Sequence, residues 1–242
     1  MTNLGTVDRV LQILTAVAQQ GAPVPVKQLS DQTGLPASTV YRHLAVLRRW
    51  GFVDEAERGS SYEPGPMSLQ LAWGGQRARL VTAAHDELSA VVASTGESAG
   101  LMVTVNAHVV CLDMVDSPQS LRCSFSKGSA VPLIRGASAL AQLAFLPARE
   151  RDEALAIHTP GGLETVPATL AVTLETVRQQ GYAMSEGEVD WGVWGVSVPI
   201  LSRSDRLLGG VSLMAPSVRA AGWHSALIAA TVKAGQRISA RL

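Results

Sequence analysis

Residues 26 to 50, VKQLSDQTGLPASTVYRHLAVLRRW, constrain the fold of this chain more than any other stretch. Val26 and Leu29 fall on one side of a short helix, and Gly34 then supplies a residue that can leave the right-handed helical region without a Cβ penalty. Pro36 sits where a second helix must start, a position that needs no backbone N–H and gains from a fixed φ. Val40, Leu44 and Leu47 recur at helical spacing and form the buried stripe of that helix. Its other side carries Ser38, Thr39, Tyr41 and Arg42, then Arg48 and Arg49, and no acidic residue lies between Pro36 and Trp50. Hydroxyl and guanidinium donors in that arrangement can reach phosphates and base edges in a major groove.

A lone helix of this length is as readily an ordinary amphipathic helix with a solvated basic face, so its neighbours decide. Thr6 to Gln20 reads as a preceding helix with Val7, Val10, Leu11, Leu14 and Val17 on one stripe. After Trp50 come Gly51, Phe52 and Val53, a polar tip from Glu55 to Ser61, then Tyr62, the pattern of a β-hairpin. Three helices and a β-wing describe a winged helix-turn-helix over residues 1–65, with Lys27, Pro36, Ala37, Ser38, Thr39, Tyr41, Arg42, His43, Arg48 and Arg58 as the expected DNA contacts. Six basic residues (Arg9, Lys27, Arg42, Arg48, Arg49, Arg58) are matched there by six acidic ones (Asp8, Asp31, Asp54, Glu55, Glu57, Glu63). A non-specific phosphate-binding surface is therefore not expected, and site-specific, salt-sensitive binding by paired modules is.

The whole chain has 242 residues, 47% hydrophobic and 17% charged, enough for two globular domains. No basic segment followed by an apolar run opens it, and no apolar run of about 18 residues occurs, so neither a secretory signal nor a membrane span is expected and the cytoplasm is the expected location. Cys111 and Cys123 lie in apolar, β-like segments without CxxC spacing, which predicts buried thiols and no metal site. No cofactor signature is present.

Residues 66–79 open with prolines and carry Met67, Leu69, Leu71 and Trp73 before a Gly74-Gly75 break, which predicts a short linker helix. The remainder, 80–242, begins with a helix carrying Leu80, Val81, Ala84, Leu88 and Val91. Strands are expected at 101–105, 109–115 and 121–125, then helices at 137–146, 149–157 and 170–180, the last stopped by Gly181. Strands at 182–185, 195–200 and 207–214 and a final helix over 220–242 complete the pattern. The fold class is α+β: an antiparallel sheet with helices on one face and the other face able to cup a ligand.

Several motifs strung along the chain resemble the IclR family of bacterial transcription regulators: RVLQILTAVAQ, LSDQTGLPASTVYRHLAVLRRWGFV, YEPGP, GSAVPL before a helix, GYAMSEGE and GVSVPI. The resemblance implies a winged helix-turn-helix joined to a GAF-like effector-sensing domain, acting on a double-stranded DNA operator as a homodimer or dimer of dimers that responds to a small metabolite. It also implies an effector site at Ser185, Ser212 and Met214 and at the helix start after Leu133. Where many relatives have Thr-Ala and then Gly-Lys, this chain has Gly136-Ala137 and Ala139-Leu140, preceded by Arg135, and Gly195 replaces a common cysteine.

The residues extend that expectation. Arg135 and free N–H groups around Gly136, Ala137 and Ser138 would favour an anion. Trp191 and Trp194 would stack on a flat ring, or else serve as core or interface anchors. Space at Gly136 and Gly195 would admit an aromatic or other bulky carboxylic compound.

Catalysis finds little support, because GxSxG, HExxH, P-loop and GxGxxG signatures are absent. Glu186, Glu188 and Asp190 read as a solvated acidic loop, and the five histidines are scattered without metal-ligand spacing. A winged helix that binds protein partners is the alternative. It should expose apolar residues where this chain shows Ser38, Tyr41 and Arg42.

Overall fold

The computed structural model describes residues 5–20, 22–57, 61–73 and 75–242. The chain divides into two compact units, Met1–Ala78 and Arg79–Leu242.

The first unit contains α1 (Thr6–Ala18), β1 (Val24–Pro25), α2 (Val26–Thr33), α3 (Ala37–Arg49), β2 (Val53–Glu57), β3 (Ser61–Pro64) and α4 (Pro66–Trp73). Its three-stranded sheet has the order β1-β3-β2, each neighbour antiparallel. Gly34 ends α2 with φ +68°, the left-handed conformation required for a turn that tight. Pro36 is the cap of α3, one position before the helix begins, and its carbonyl accepts the first N–H groups from Thr39 and Val40. Ile13, Val17, Leu29, Val40, Leu44, Leu47, Val53 and Tyr62 form the core.

The buried face of α1 differs from the expected one. Ile13, Ala16 and Val17 are buried, Val10 and Leu14 pack against the core, and Val7 and Leu11 are exposed. Residues 10, 13, 14 and 17 form a tighter helical stripe than 7, 10, 11, 14 and 17, and β-branched Ile13 sits at its centre.

The second unit begins in α5 (Gln76–Thr95), in which the division of the chain falls. It continues with β4 (Ser98–Val105), β5 (His108–Val115), β6 (Ala130–Pro132), α6 (Ala137–Phe145), α7 (Ala148–His158), a 3-10 turn (Gly162–Thr165) and α8 (Ala168–Gln180). β7 (Ala183–Glu186), β8 (Val193–Leu201), β9 (Leu207–Pro216), α9 (Ser217–Ala220) and α10 (His224–Ala240) complete it. The six strands run β6-β5-β4-β9-β8-β7, all antiparallel. The β4–β5 turn places Asn106 and Ala107 at φ +47° and +63°, the positive values of a type I′ hairpin.

Both faces of the sheet carry helices, not one as expected. On one side Leu101, Val103, Trp194, Val196, Val211 and Leu213 pack with Leu88 of α5 and Leu227 and Ile238 of α10. On the other, Met102, Val109, Cys111 and Met214 face α6, α7 and α8. The alternation along β4 and β9 sends consecutive residues to opposite layers, so two apolar layers need two helical covers.

Residues 121–125 form no strand. They belong to the irregular segment 116–129, and the edge of the sheet is taken instead by β6, whose Val131 pairs with Val109. A register shift lies in β5: Leu101 pairs with Asp113, yet Met102 pairs with Cys111. The extra residue is a β-bulge, and it places Cys111 and Asp113 on opposite faces although they are two apart.

Candidate functional site

In the first unit, α3 presents Pro36, Ala37, Ser38, Tyr41 and Arg42 to the outside, with Thr39 half-buried and Lys27 exposed on α2. Arg42 makes no ion pair among the described residues. Arg48 behaves differently, since its guanidinium pairs with Glu55 on β2 and so ties the end of α3 to the wing. Arg58 lies outside the described residues.

His43 does not join this surface. It is 4% exposed on the inner side of α3, and its Nε2 has no hydrogen-bond partner among the described residues. Placed three residues after Val40 and one before Leu44, it shares their inward stripe. Burial, reinforced by Arg42 and Arg9, lowers its pKa below the ordinary 6.5, so it is neutral in the folded unit. The unfolded chain takes up that proton as pH falls through 6.5 and the folded unit only at lower pH. His43 is therefore expected to cost stability below pH 6.5. His43→Leu should remove that acid dependence and raise stability at neutral pH by about 1 kcal/mol, because it replaces an unsatisfied buried nitrogen. Urea denaturation across pH 5 to 7.5 checks both, the range bracketing ordinary histidine titration.

In the second unit a cavity of about 270 Å³ lies between the β4, β5, β8 and β9 surface, the start of α6 and segment 116–129. Arg135, Gly136, Ala137, Ser138, Ser185, Gly195, Ser212 and Met214 all line it. Two expected members do not. Trp194 is 3% exposed in the opposite layer and stacks on His224 with ring centroids 4.8 Å apart. Trp191 is 98% exposed and is not among the residues that line the cavity. Along β8, Gly195 faces the cavity, so the alternation of the strand sends Trp194 to the other side.

The helix start is also occupied differently from the expectation of free N–H groups. Gly136 N–H donates to the Glu188 carboxylate at 2.8 Å, and Ala137 N–H donates to Ser185 Oγ at 2.8 Å. Glu188, exposed in its loop as expected, thus also caps the start of α6. Nor is there open space at Gly136: a Cβ there would stand 2.6 Å from Val189 Cγ2, and φ is +87°. At Gly195 the expected room exists, with a Cβ meeting its neighbours at 3.6 Å or more.

Below the cavity floor runs a hydroxyl relay. Ser212 Oγ donates to Ser197 Oγ at 2.8 Å, so the 2.8 Å contact between Ser138 and Ser212 must use the proton of Ser138. Ser138 Oγ keeps its lone pairs to receive a donor. Behind it, buried Gln142 donates to Ser138 O at 3.3 Å and accepts from Thr104 Oγ1 at 2.8 Å.

Segment 116–129 supplies lining residues that the sequence reading missed: Arg122, Cys123, Ser124, Phe125 and Ser129, joined by Cys111, Val189 and Asp190. Lys127 anchors the segment, its Nζ 2.7 Å from Asp113, whose other oxygen meets His85 Nδ1 at 2.7 Å. Burial alone would raise the Asp113 pKa, but the hydrogen bonds from Lys127 and His85 outweigh it and hold the carboxyl below its usual value. Burial pushes the Cys111 thiol up to about 11 and the Cys123 thiol in the same direction, so both stand in the cavity wall as weakly polar thiols. No group of three or more acids, histidines or cysteines that could hold a metal ion occurs among the described residues. Among those residues, too, no helix is long and apolar enough to cross a membrane.

The chain matches the bacterial transcriptional regulator IclR C-terminal model over residues 75–240 and the IclR helix-turn-helix domain over residues 6–57. It is 30% identical over 220 residues to a protein of Cupriavidus necator described as a probable transcriptional regulator, SauR, covering 87% of this chain and 84% of that one. It is 28% identical over 228 residues to the transcriptional regulator KdgR of Escherichia coli, covering 90% and 84%. Among solved structures, an IclR homolog of Microbacterium hydrocarbonoxydans complexed with 4-hydroxybenzoate shares its fold with a TM-score of 0.80 at 21% identity, over 98% of this chain and 99% of that one.

Proposed function

Because the chain belongs to the IclR family of bacterial transcriptional regulators, we propose that the outer face of α3 reads an operator and that the cavity beside α6 takes a small organic acid. The protein is a DNA-binding regulator whose operator binding responds to an effector, and its relatives are regulators as well. Two matched modules on symmetric half-sites supply the affinity that a charge-balanced reader lacks alone, so the working form is a homodimer or a dimer of dimers. A chain that reads operator DNA works in the cytoplasm.

The observation that carries the effector reading is the composition of the cavity wall. Arg135, exposed and without an ion-pair partner among the described residues, stands at one side, and apolar Met102, Val109, Phe125 and Val131 contribute to the rest. That combination fits a carboxylate on an apolar body, with Ser138 placed to accept a hydroxyl donor. A volume of about 270 Å³ suits a small organic acid. With both tryptophans outside the cavity, Phe125 is its aromatic surface. The wall binds and orients. We assign it no reaction, and turnover of a bound ligand would overturn that.

Effector binding then favours one arrangement of the paired readers over another, a coupling that by linkage acts in both directions. Calorimetry of the full chain with aromatic and hydroxylated carboxylates, 4-hydroxybenzoate among them, tests the site. Arg135→Ala should weaken the binding acid about 10- to 100-fold, the worth of a charge-assisted hydrogen bond. Equal affinity in the variant would remove Arg135 from the site.

A further inference from the structure

We propose that His108 and His158 form a binding site for a divalent transition-metal ion of the zinc, nickel or copper class, where the β4–β5 turn meets the end of α7. Neither residue lines the cavity, so the site stands apart from the effector reading.

The two rings come from distant parts of the chain, and spacing in the sequence does not reveal them as a pair. His108 is the first residue of β5 and His158 the last of α7. They meet edge to face, with centroids 4.8 Å apart and planes at 89°. Both are partly exposed, so an ion in solution can reach them.

What separates this pair from ordinary ring packing is the fixing of its protons. His108 Nδ1 lies 2.9 Å from Asn106 O, and His158 Nε2 lies 2.7 Å from Ala107 O. A carbonyl oxygen can only accept, so each of these nitrogens carries the hydrogen of its neutral ring. The lone pairs are left on His108 Nε2 and His158 Nδ1, and neither nitrogen takes a hydrogen bond among the described residues. An imidazole whose N–H is held by a backbone carbonyl, with its other nitrogen bare, is in the state that metal-ligating histidines adopt. Adjacent residues of one turn supply both carbonyls, and Ala107 O also accepts Leu133 N–H at 3.0 Å, which fixes the turn in its own right.

Spacing and charge agree with a shared ion. With a metal–nitrogen bond of about 2.1 Å and a centroid about 1.2 Å behind each nitrogen, rings 4.8 Å apart subtend roughly 95° at the ion, between the octahedral and tetrahedral values. α7 ends at His158, and the negative end of an 11-residue helix dipole favours a cation. No group of three or more acids, histidines or cysteines suited to a metal occurs among the described residues, so water completes the coordination. Two imidazoles without a carboxylate select zinc, nickel or copper over magnesium and calcium.

Calorimetric titration of the full chain, purified without a histidine tag, with zinc, nickel and copper(II) salts tests this. The wild type is expected to bind one ion per chain at this site. His108→Phe and His158→Phe keep a ring in each place and remove the lone pair, and each should weaken binding roughly tenfold or more. His224→Ala removes an exposed histidine elsewhere and should leave the affinity unchanged. Zinc should raise the melting temperature of the wild type and not of either Phe variant. Electron paramagnetic resonance of copper(II) bound to the wild type should show two nitrogen ligands, a readout that needs no variant to fold. No bound ion, an affinity that both Phe variants keep, a loss confined to one of them, or a single nitrogen ligand overturns the inference and leaves the rings as an edge-to-face pair alone.

Discussion

Arg42→Ala is expected to weaken binding to the upstream region of the protein's own gene by at least about 30-fold in a mobility-shift titration. The size follows from symmetry. A guanidinium on a base edge is worth about 1–3 kcal/mol, and each substitution is present twice in a paired complex, giving about 2–6 kcal/mol. Arg42 is exposed and makes no salt bridge among the described residues, so the variant should melt with the wild type and the loss can be assigned to DNA. The salt dependence separates two roles. A phosphate contact would weaken operator and random duplex alike and lower the salt slope by about one per copy, whereas a base contact would mainly erode the preference for operator. A shift that Arg42→Ala leaves untouched would remove this face as the reader.

Gly65→Ala should unfold the first unit well before the second. A Cβ at Gly65 would stand 2.4 Å from Gly51 O and 2.9 Å from the carbonyl carbons of Gly51 and Val53, all backbone atoms that no rotamer change can move. The surrounding bonds leave no room for retreat: Gly65 N–H donates to Phe52 O and Met67 N–H to Gly51 O, each at 2.9 Å. The expected loss is about 3 kcal/mol, the upper range for overpacking, and Gly195→Ala is the control because its added Cβ meets only ordinary contacts. Scanning calorimetry should show an early transition in Gly65→Ala and none in Gly195→Ala. An unshifted trace for Gly65→Ala would mean that the wing and α4 can part without loss.

Much of this architecture was legible because its signals are local. Gly34, Pro36 and Gly181 mark helix ends through their own backbone preferences, and all three stand at the helix boundaries the sequence indicates. The strands 109–115 and 195–200 are marked by β-branched residues and 207–214 by an apolar run. What failed depended on neighbours distant in sequence. Leu121 to Phe125 has the composition of a strand, but Arg219 and Lys127 hold its segment over the cavity instead of against an edge. Trp194 and Trp191 are alike in sequence, but the β8–β9 pairing fixes the face of Trp194, whereas Trp191 lies in the turn before β8. His43 had the chemistry of a phosphate ligand, yet its phase on α3 matches Leu44 and Leu47, a reading the helical period could have supplied. The cavity was half visible: the GYAMS and VPL motifs led to Ser185, Arg135 and Gly136, whereas Arg122, Cys111 and Ser129 carry no motif.

The irregularity in β5 makes the chain tolerant of a lost residue at one point. Leu112 is the supernumerary residue between the partners of Leu101 and Met102. Deleting it would restore a regular ladder in which Asp113, now next to Cys111, still stands opposite Leu101 and on the face of His85, so the carboxylate stays away from the cavity. One missing codon there would be absorbed by the bulge, and the cavity wall would keep its residues and its charge.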